Sequence, residues 1–423
     1  MISPIPSWTA LRTGLGARLS PGTLGEWQLE RFRQVIQYAQ GKSRFYRDHL
    51  AHVDTGAVTS REDLAGIPFT FPKDIIEHGT RMVCISAGEI SRITTLFTSG
   101  SQGAPKRICF TRNDLDRTVD FFAHGMSTLV TPEDRVMICM SSKTPDSIGD
   151  LLHKGLSRIR VSSRIYGNIR DADHAAGRAG QFDCLVGLPA EMLYLARTAP
   201  GLRPATVLLS ADYVPDSIIQ VLESTWQCRV FTHYGMTETG YGGGVQCGAR
   251  QAYHLRDADL MVEIVDPDNG SLLPPAQTGE VVLTTLQNEA MPLIRYRTGD
   301  LARIITDPCP CGASLHRLDK VSGRLSNEVR MDGQHCLNLA QLDEILYAVP
   351  GLRGFRAAVN PPRQVLLTLD MGGKEAFPDL SEQVKKTLSI PVEITIQYTS
   401  LPPCTPNGKR VIIFAKGFHR SVL

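Results

Sequence analysis

Residues 184–239, CLVGLPAEMLYLARTAPGLRPATVLLSADYVPDSIIQVLESTWQCRVFTHYGMTET, repeat a single pattern. Short apolar runs at Cys184–Gly187, Thr206–Ser210 and Arg229–Thr232 predict strands, and the stretches Ala190–Thr198 and Pro215–Thr225 between them predict helices. Strands alternating with helices call for a parallel sheet covered by helices. The alternation extends upstream through a strand at Arg135–Met140 and helices at Asn113–Thr128 and Asp146–Leu156. Nearer the start, Leu29, Phe32, Val35, Ile36 and Ala39 fall at helical spacing, so Trp27–Leu50 reads as one amphipathic helix whose tail is packed by aromatics.

Downstream of Leu260 the texture changes. MVEIVDPDNG and GEVVLTTL are strands joined by a Pro/Asp/Asn/Gly turn, which predicts an antiparallel β subdomain over about residues 245–322. From Ser326 onward, helices at Leu339–Tyr347 and Leu380–Leu388 alternate with strands at Gly354–Val359, Gln364–Asp370 and Val392–Tyr398, which predicts a small separate α+β domain. The expected fold class is α/β, with domains at residues 1–325 and 326–423. A chain of 423 residues exceeds what one hydrophobic core usually holds.

The totals exclude several classes. Lys+Arg 45 against Asp+Glu 43 gives no reason to expect a nucleic acid or a membrane surface as partner. No stretch of about 18 apolar residues occurs, and the first twenty residues lack a signal-peptide core, so the expectation is a cytoplasmic protein. Ten dispersed cysteines do not form a disulfide framework.

Four short runs carry the chemistry. Thr98-Ser99-Gly100-Ser101-Gln102-Gly103-Ala104-Pro105-Lys106 follows a strand at Ile93–Phe97 and supplies backbone N–H groups, hydroxyls and an ammonium suited to phosphate, although it is not a Walker P-loop. Thr232-His233-Tyr234-Gly235-Met236-Thr237-Glu238-Thr239 sets an aromatic face beside a hydroxyl and a carboxylate, which suit a purine, a phosphate and magnesium. In Tyr296-Arg297-Thr298-Gly299-Asp300 an aspartate after a glycine turn can accept both hydroxyls of a ribose. Thr405-Pro406-Asn407-Gly408-Lys409 places a lysine near the C-terminus. Taken singly, each run also has a plain reading as a surface loop, a capped turn or a solvated lysine.

In this order, the four runs resemble the adenylate-forming superfamily of acyl-CoA synthetases, peptide-synthetase adenylation domains and luciferases. The early FYRDHL and LAGIPFTFPKDI phrases look most like phenylacetate-CoA ligases. The resemblance implies that Thr98–Lys106 wraps the triphosphate of ATP, and that Ser210, Ala211, Asp212 and Tyr213 hold adenine together with Tyr234 and its neighbours His233, Gly235 and Met236. It implies that Thr237 reaches the phosphate of AMP, Glu238 holds magnesium, Asp300 and Arg324 hold the ribose, Ser326 is a hinge, and Lys409 is the mobile lysine of adenylation. It also implies coenzyme A as acceptor, a small mobile C-terminal domain, an acid pocket drawn from Ser147, His153, Tyr166, Gly187 and Met236, and a small, aryl-like acid; it allows a homodimer. Gln102 and Ser210-Ala211-Asp212 depart from the usual pattern. An adenylating enzyme with another acceptor, such as an amine, a carrier-protein thiol or another nitrogen nucleophile in specialised metabolism, shares every motif. A non-catalytic descendant is disfavoured by the retention of Glu238, Asp300, Arg324 and Lys409.

Cys309-Pro310-Cys311-Gly312 resembles half of a zinc knuckle, and Cys247 with His254 supplies a second pair. The expectation is a structural Cys3His zinc site that braces the segments after Glu238 and Asp300. The alternative is four unrelated loop residues.

Overall fold

The computed structural model describes residues 3–96, 105–331, 335–360, 362–372, 377, 379–401 and 412–414. The fold is α/β, and the chain divides into two compact units. The first comprises residues 1–134, 141–163 and 231–321, and the second residues 135–140, 164–230 and 322–423. Among the described residues no helix is long and apolar enough to cross a membrane.

In the second unit the strands Arg135–Cys139, Cys184–Gly187 and Thr206–Leu209 pair in parallel, as the alternating pattern predicts. All of Cys184–Gly187 and Thr206–Leu209 is buried, which explains why these runs are continuously apolar rather than alternating. Helices Pro189–Thr198 and Asp216–Trp226 bury Met192, Leu193, Leu195, Ile218, Leu222 and Trp226. The same core takes in Leu342 and Leu346 of the helix Leu339–Tyr347. The C-terminal segment of this unit pairs Gly354–Asn360 antiparallel with Gln364–Asp370, and the latter parallel with Glu393–Tyr398.

The described strands of the first unit pair antiparallel. Leu260–Val265, Gly279–Thr285 and Tyr296–Ala302 form consecutive antiparallel pairs. Gly244–Gln246 lies between Arg229–Tyr234 and Tyr253–Leu255, and Arg317–Leu318 follows on the far side of Tyr253–Leu255. A hairpin, Arg92–Leu96 with Lys106–Phe110, sets Leu96 opposite Lys106.

One expected element differs. The helix expected over 27–50 is two helices, Pro21–Lys42 and Arg44–His49. Ser43 breaks them apart: its backbone is extended, its Oγ accepts the Tyr46 N–H and donates to the Arg81 carbonyl, and capping a new helix replaces continuing the old one.

Candidate active site

In the first unit three side chains from distant segments meet. Lys106 opens the second hairpin strand, Glu238 sits in the short turn Thr237–Thr239, and Tyr296 opens the strand Tyr296–Ala302. The Lys106 ammonium pairs with Glu238 Oε1 and lies 3.3 Å from the Tyr296 hydroxyl, which donates to the same Glu238 oxygen at 3.1 Å. Glu238 is 4% exposed, so its charge is compensated by these partners rather than by bulk water. The turn is tied locally: Thr239 Oγ1 accepts the Met236 N–H and donates to the Met236 carbonyl, and Gly240 closes the turn with φ 67°.

Gly235 admits no side chain, because a Cβ there would lie 2.4 Å from the Tyr241 carbonyl oxygen. His233 packs edge-on against Phe122, and burial together with the Arg256 charge pulls its imidazole down to about 4. Thr237 is half-buried.

Asp300, 2% exposed, accepts the Tyr234 hydroxyl at 3.2 Å. The glycine turn expected before it is instead an irregularity within a strand. The register against Glu280 and Val282 shifts, Gly299 takes φ 76°, and its N–H donates to Glu280 Oε1. A bulge of this kind re-aims the next side chain, here Asp300, without ending the sheet.

Other expected site residues belong to the second unit. Ser210 is buried and its N–H donates to the Gly187 carbonyl. Ala211 has φ 72°, a conformation a glycine would adopt more easily. Asp212 Oδ1 accepts the Tyr213 N–H, and the Tyr213 hydroxyl donates to Glu344 Oε1 at 2.8 Å; burial and the Glu344 charge push that phenol up. Glu344 also accepts the N–H groups of Asp216 and Ser217 at the start of helix Asp216–Trp226. Arg324 ends the short strand Gly323–Arg324, and Ser326 is exposed in the turn after it. Tyr166 bonds His174 Nδ1 at 2.8 Å, and a Cβ on Gly187 would lie 2.3 Å from Met192 Cε, so Gly187 makes a close packing contact.

In the first unit Ser147 caps helix Ile148–Arg158 with its hydroxyl buried and, among the described residues, unbonded. His153 on the same helix bonds Ser163 Oγ at 2.8 Å. Thr98, Ser99, Gly100, Ser101, Gly103 and Lys409 lie outside the described residues.

Tyr296 was not among the expected contacts of Glu238. Its signal was its place as the first residue of the Tyr296–Asp300 run, directly before the strand irregularity.

The four Cys/His residues converge. The donor atoms of Cys247, His254, Cys309 and Cys311 all lie within 4.8 Å of one another, with Cys247 Sγ 3.5 Å from Cys309 Sγ and Cys311 Sγ 3.6 Å from His254 Nε2. A sulfur separation of 3.5 Å rules out a disulfide, whose S–S length is about 2.05 Å. It matches the roughly 3.8 Å edge of a tetrahedron built on zinc–sulfur bonds of about 2.3 Å. Burial and the Arg317 charge hold His254 down to about 4, so its ring is neutral with a lone pair to offer. The loop that presents the cysteines is closed by Cys309 N–H to Ala313 and Gly312 N–H to Cys309. The donor set therefore fits a structural zinc ion.

No family model matches the chain. The phenylacetate-coenzyme A ligase of Thermus thermophilus is 25% identical over 418 residues, covering 89% of this chain and 92% of that enzyme. The phenylacetate-coenzyme A ligase of Pseudomonas putida is 26% identical over 409 residues, covering 89% of this chain and 91% of its own. Among solved structures, 2-hydroxyisobutyryl-CoA ligase in the postadenylation state with R3-HIB-AMP superposes with a TM-score of 0.79 at 19% identity, covering 92% of this chain and 89% of that one. Over most of its length the chain is thus similar in sequence to phenylacetate-coenzyme A ligases, and it shares the fold of 2-hydroxyisobutyryl-CoA ligase.

Proposed function

We propose that this protein is an AMP-forming acid–CoA ligase: it joins AMP from ATP to the carboxylate of a small acid and passes the acyl group to coenzyme A. The observation that carries the reading is the cluster in which half-buried Lys106 meets buried Glu238 and Tyr296, with Tyr234 and Asp300 paired in the same unit. These side chains come from the runs that sequence reading assigned to one nucleotide. The curated relatives named for phenylacetate make an aryl acid the class to test first.

In this reading Tyr234 offers its ring to adenine and Asp300 holds the ribose; Ser210, Ala211, Asp212 and Tyr213 are candidates for adenine contacts, and Arg324 for a ribose contact. Thr237 donates to the α-phosphate. Glu238 holds magnesium, which neutralises phosphate charge when bound. Lys106 and the Thr98–Gly103 run hold the outgoing pyrophosphate. Lys409, delivered by residues 326–423 turning about Ser326, donates to oxygens of the attacking carboxylate and the α-phosphate; its withdrawal lets the coenzyme A thiol reach the acyl-adenylate. Cys247, His254, Cys309 and Cys311 hold zinc, which braces the segment after Glu238 against the loop after Asp300. Ser147, His153, Tyr166 and Gly187 are candidates for the acid pocket.

The test is pyrophosphate release with ATP and magnesium across aryl and short-chain acids, with and without coenzyme A. Sustained turnover that requires coenzyme A supports the ligase reading and identifies the acid. A single burst indifferent to coenzyme A points to another acceptor, and no release with any acid sinks the adenylation reading.

A further inference from the structure

Tyr241 follows the glycine that ends the Glu238 turn, and its φ of 69° lies in the left-handed region that bulky residues rarely adopt. With Gly240 it bends the chain back so that the Tyr241 N–H donates to the Met236 carbonyl at 2.8 Å. That backbone path would suit glycine without strain, so the turn itself gives no reason for an aromatic residue here. The side chain gives one. Its ring stacks on Phe110, with centroids 5.6 Å apart and planes at 28°. Its hydroxyl lies 2.5 Å from Thr94 Oγ1 and accepts the Arg92 Nε–H at 3.2 Å.

Arg92 and Thr94 belong to one hairpin strand and Phe110 to the other, so Tyr241 holds both strands at once. Phe110 pairs with Arg92 at the end of the hairpin remote from Lys106, which pairs with Leu96. The hairpin is therefore attached to the segment 237–241 at two points: Tyr241 at its base and Lys106, through Glu238, at its tip. Residues 97–105 join its two strands.

We propose that Tyr241 is a positioning residue, a clasp that sets the hairpin strand carrying Lys106 against the Glu238 carboxylate, so that the phosphates of MgATP meet the Lys106 ammonium already in place. Prepaid ordering of this kind appears as affinity, because the ligand no longer bears the cost of aligning the groups. The backbone strain at Tyr241 is tolerated because the ring and hydroxyl contacts hold the residue there. The inference rests on the adenylating reading and assigns a residue to that same site.

The experiment compares wild type with Tyr241→Phe, which keeps the ring and loses the hydroxyl, and with Thr94→Val, which removes the partner from the other side. Calorimetric titration with MgATP and no acid gives affinity, and a thermal melt reports folding. The expected result is MgATP binding about five- to tenfold weaker in either variant, the size of one lost hydrogen bond, with melting midpoints close to wild type. The losses in the double variant should fall short of the sum of the single ones, since the hydrogen bond between Thr94 and Tyr241 is lost in each. Once an acid is known, KM for MgATP should rise with kcat largely kept. Unchanged affinity in Tyr241→Phe, or a loss that merely follows a lowered midpoint in both variants, overturns the clasp. If wild type binds MgATP but releases no pyrophosphate with any acid, the function reading fails and the clasp is judged by affinity alone. If wild type binds no MgATP, both fail.

Discussion

Arg295→Met should be among the most damaging single substitutions in the first unit, and its cost should grow with pH. Both Arg295 and Glu263 side chains are 1% exposed. Arg295 donates through Nε and Nη2 to both Glu263 oxygens at 2.8–3.2 Å, and through Nη1 to the carbonyls of Leu64 at 2.5 Å and Ile67 at 2.7 Å. Its guanidinium also lies 4.1 Å from the Phe69 ring centroid. Methionine can fill the stem's volume but leaves a buried carboxylate and two carbonyls without their donor. Removing one partner of a buried pair costs about 3–5 kcal/mol.

Burial already holds the Glu263 carboxyl above its ordinary range, with Arg295 pulling the other way. Without Arg295 the raised value rises further. A carboxyl whose folded pKa exceeds its unfolded one binds its proton more tightly when folded. Its contribution is therefore complete below the unfolded value, about 4.3, and lost as pH climbs through the folded one. The variant should be less impaired at pH 5 than at pH 8, by about 1–2 kcal/mol. Urea titrations read by hydrogen exchange of peptides spanning 260–302 would measure this within the first unit. An equal cost at both pH values, or a cost under about 1 kcal/mol at both, would refute the argument. Replacing both partners, as Arg295→Met with Glu263→Leu, should recover much of the loss.

Asp257 offers a second pH test: burial pushes its carboxyl up to about 8, against the opposing charge of Arg61, so the stability it supplies is lost as pH rises through 8. Asp257→Asn should therefore flatten the fall in stability between pH 6 and pH 9, and an unchanged profile would contradict the assignment. Protein purified without chelator should carry about one zinc per chain by elemental analysis, and Cys309→Ser should lower that content; a zinc-free wild type would remove the site. Lys409→Ala should abolish acyl-adenylate formation while sparing thioester formation from preformed adenylate, whereas equal loss of both would contradict the two-position scheme.

The alternation of Arg135–Met140, Cys184–Gly187 and Thr206–Ser210 with helical runs was enough to foresee the parallel strands, because a strand buried on both faces must be apolar throughout. The helices Leu339–Tyr347 and Leu380–Leu388 were legible for a similar reason: their burial follows helical periodicity. The break at Ser43 was not, since a serine serves equally as a mid-helix residue or a cap, and the Arg81 carbonyl that favours the cap lies far along the chain. The irregularity at Gly299 was hidden too. A glycine with positive φ marks a turn or a bulge alike, and only the partner strand at Glu280 and Val282 distinguishes them.

The local sequence alone supplied the candidate groups: a lysine after a glycine-rich run, a carboxylate after Met-Thr, an aspartate after Thr-Gly, and two Cys/His pairs. Which of these touch was decided by tertiary structure, because contact between segments 58 to 132 residues apart depends on strand order and register that no local pattern encodes. That is how Lys106 comes to share one oxygen of Glu238 with Tyr296, and how Cys247 comes to lie beside Cys309. The same limit hid Tyr241, whose identity makes physical sense only once Arg92, Thr94 and Phe110 are folded against it.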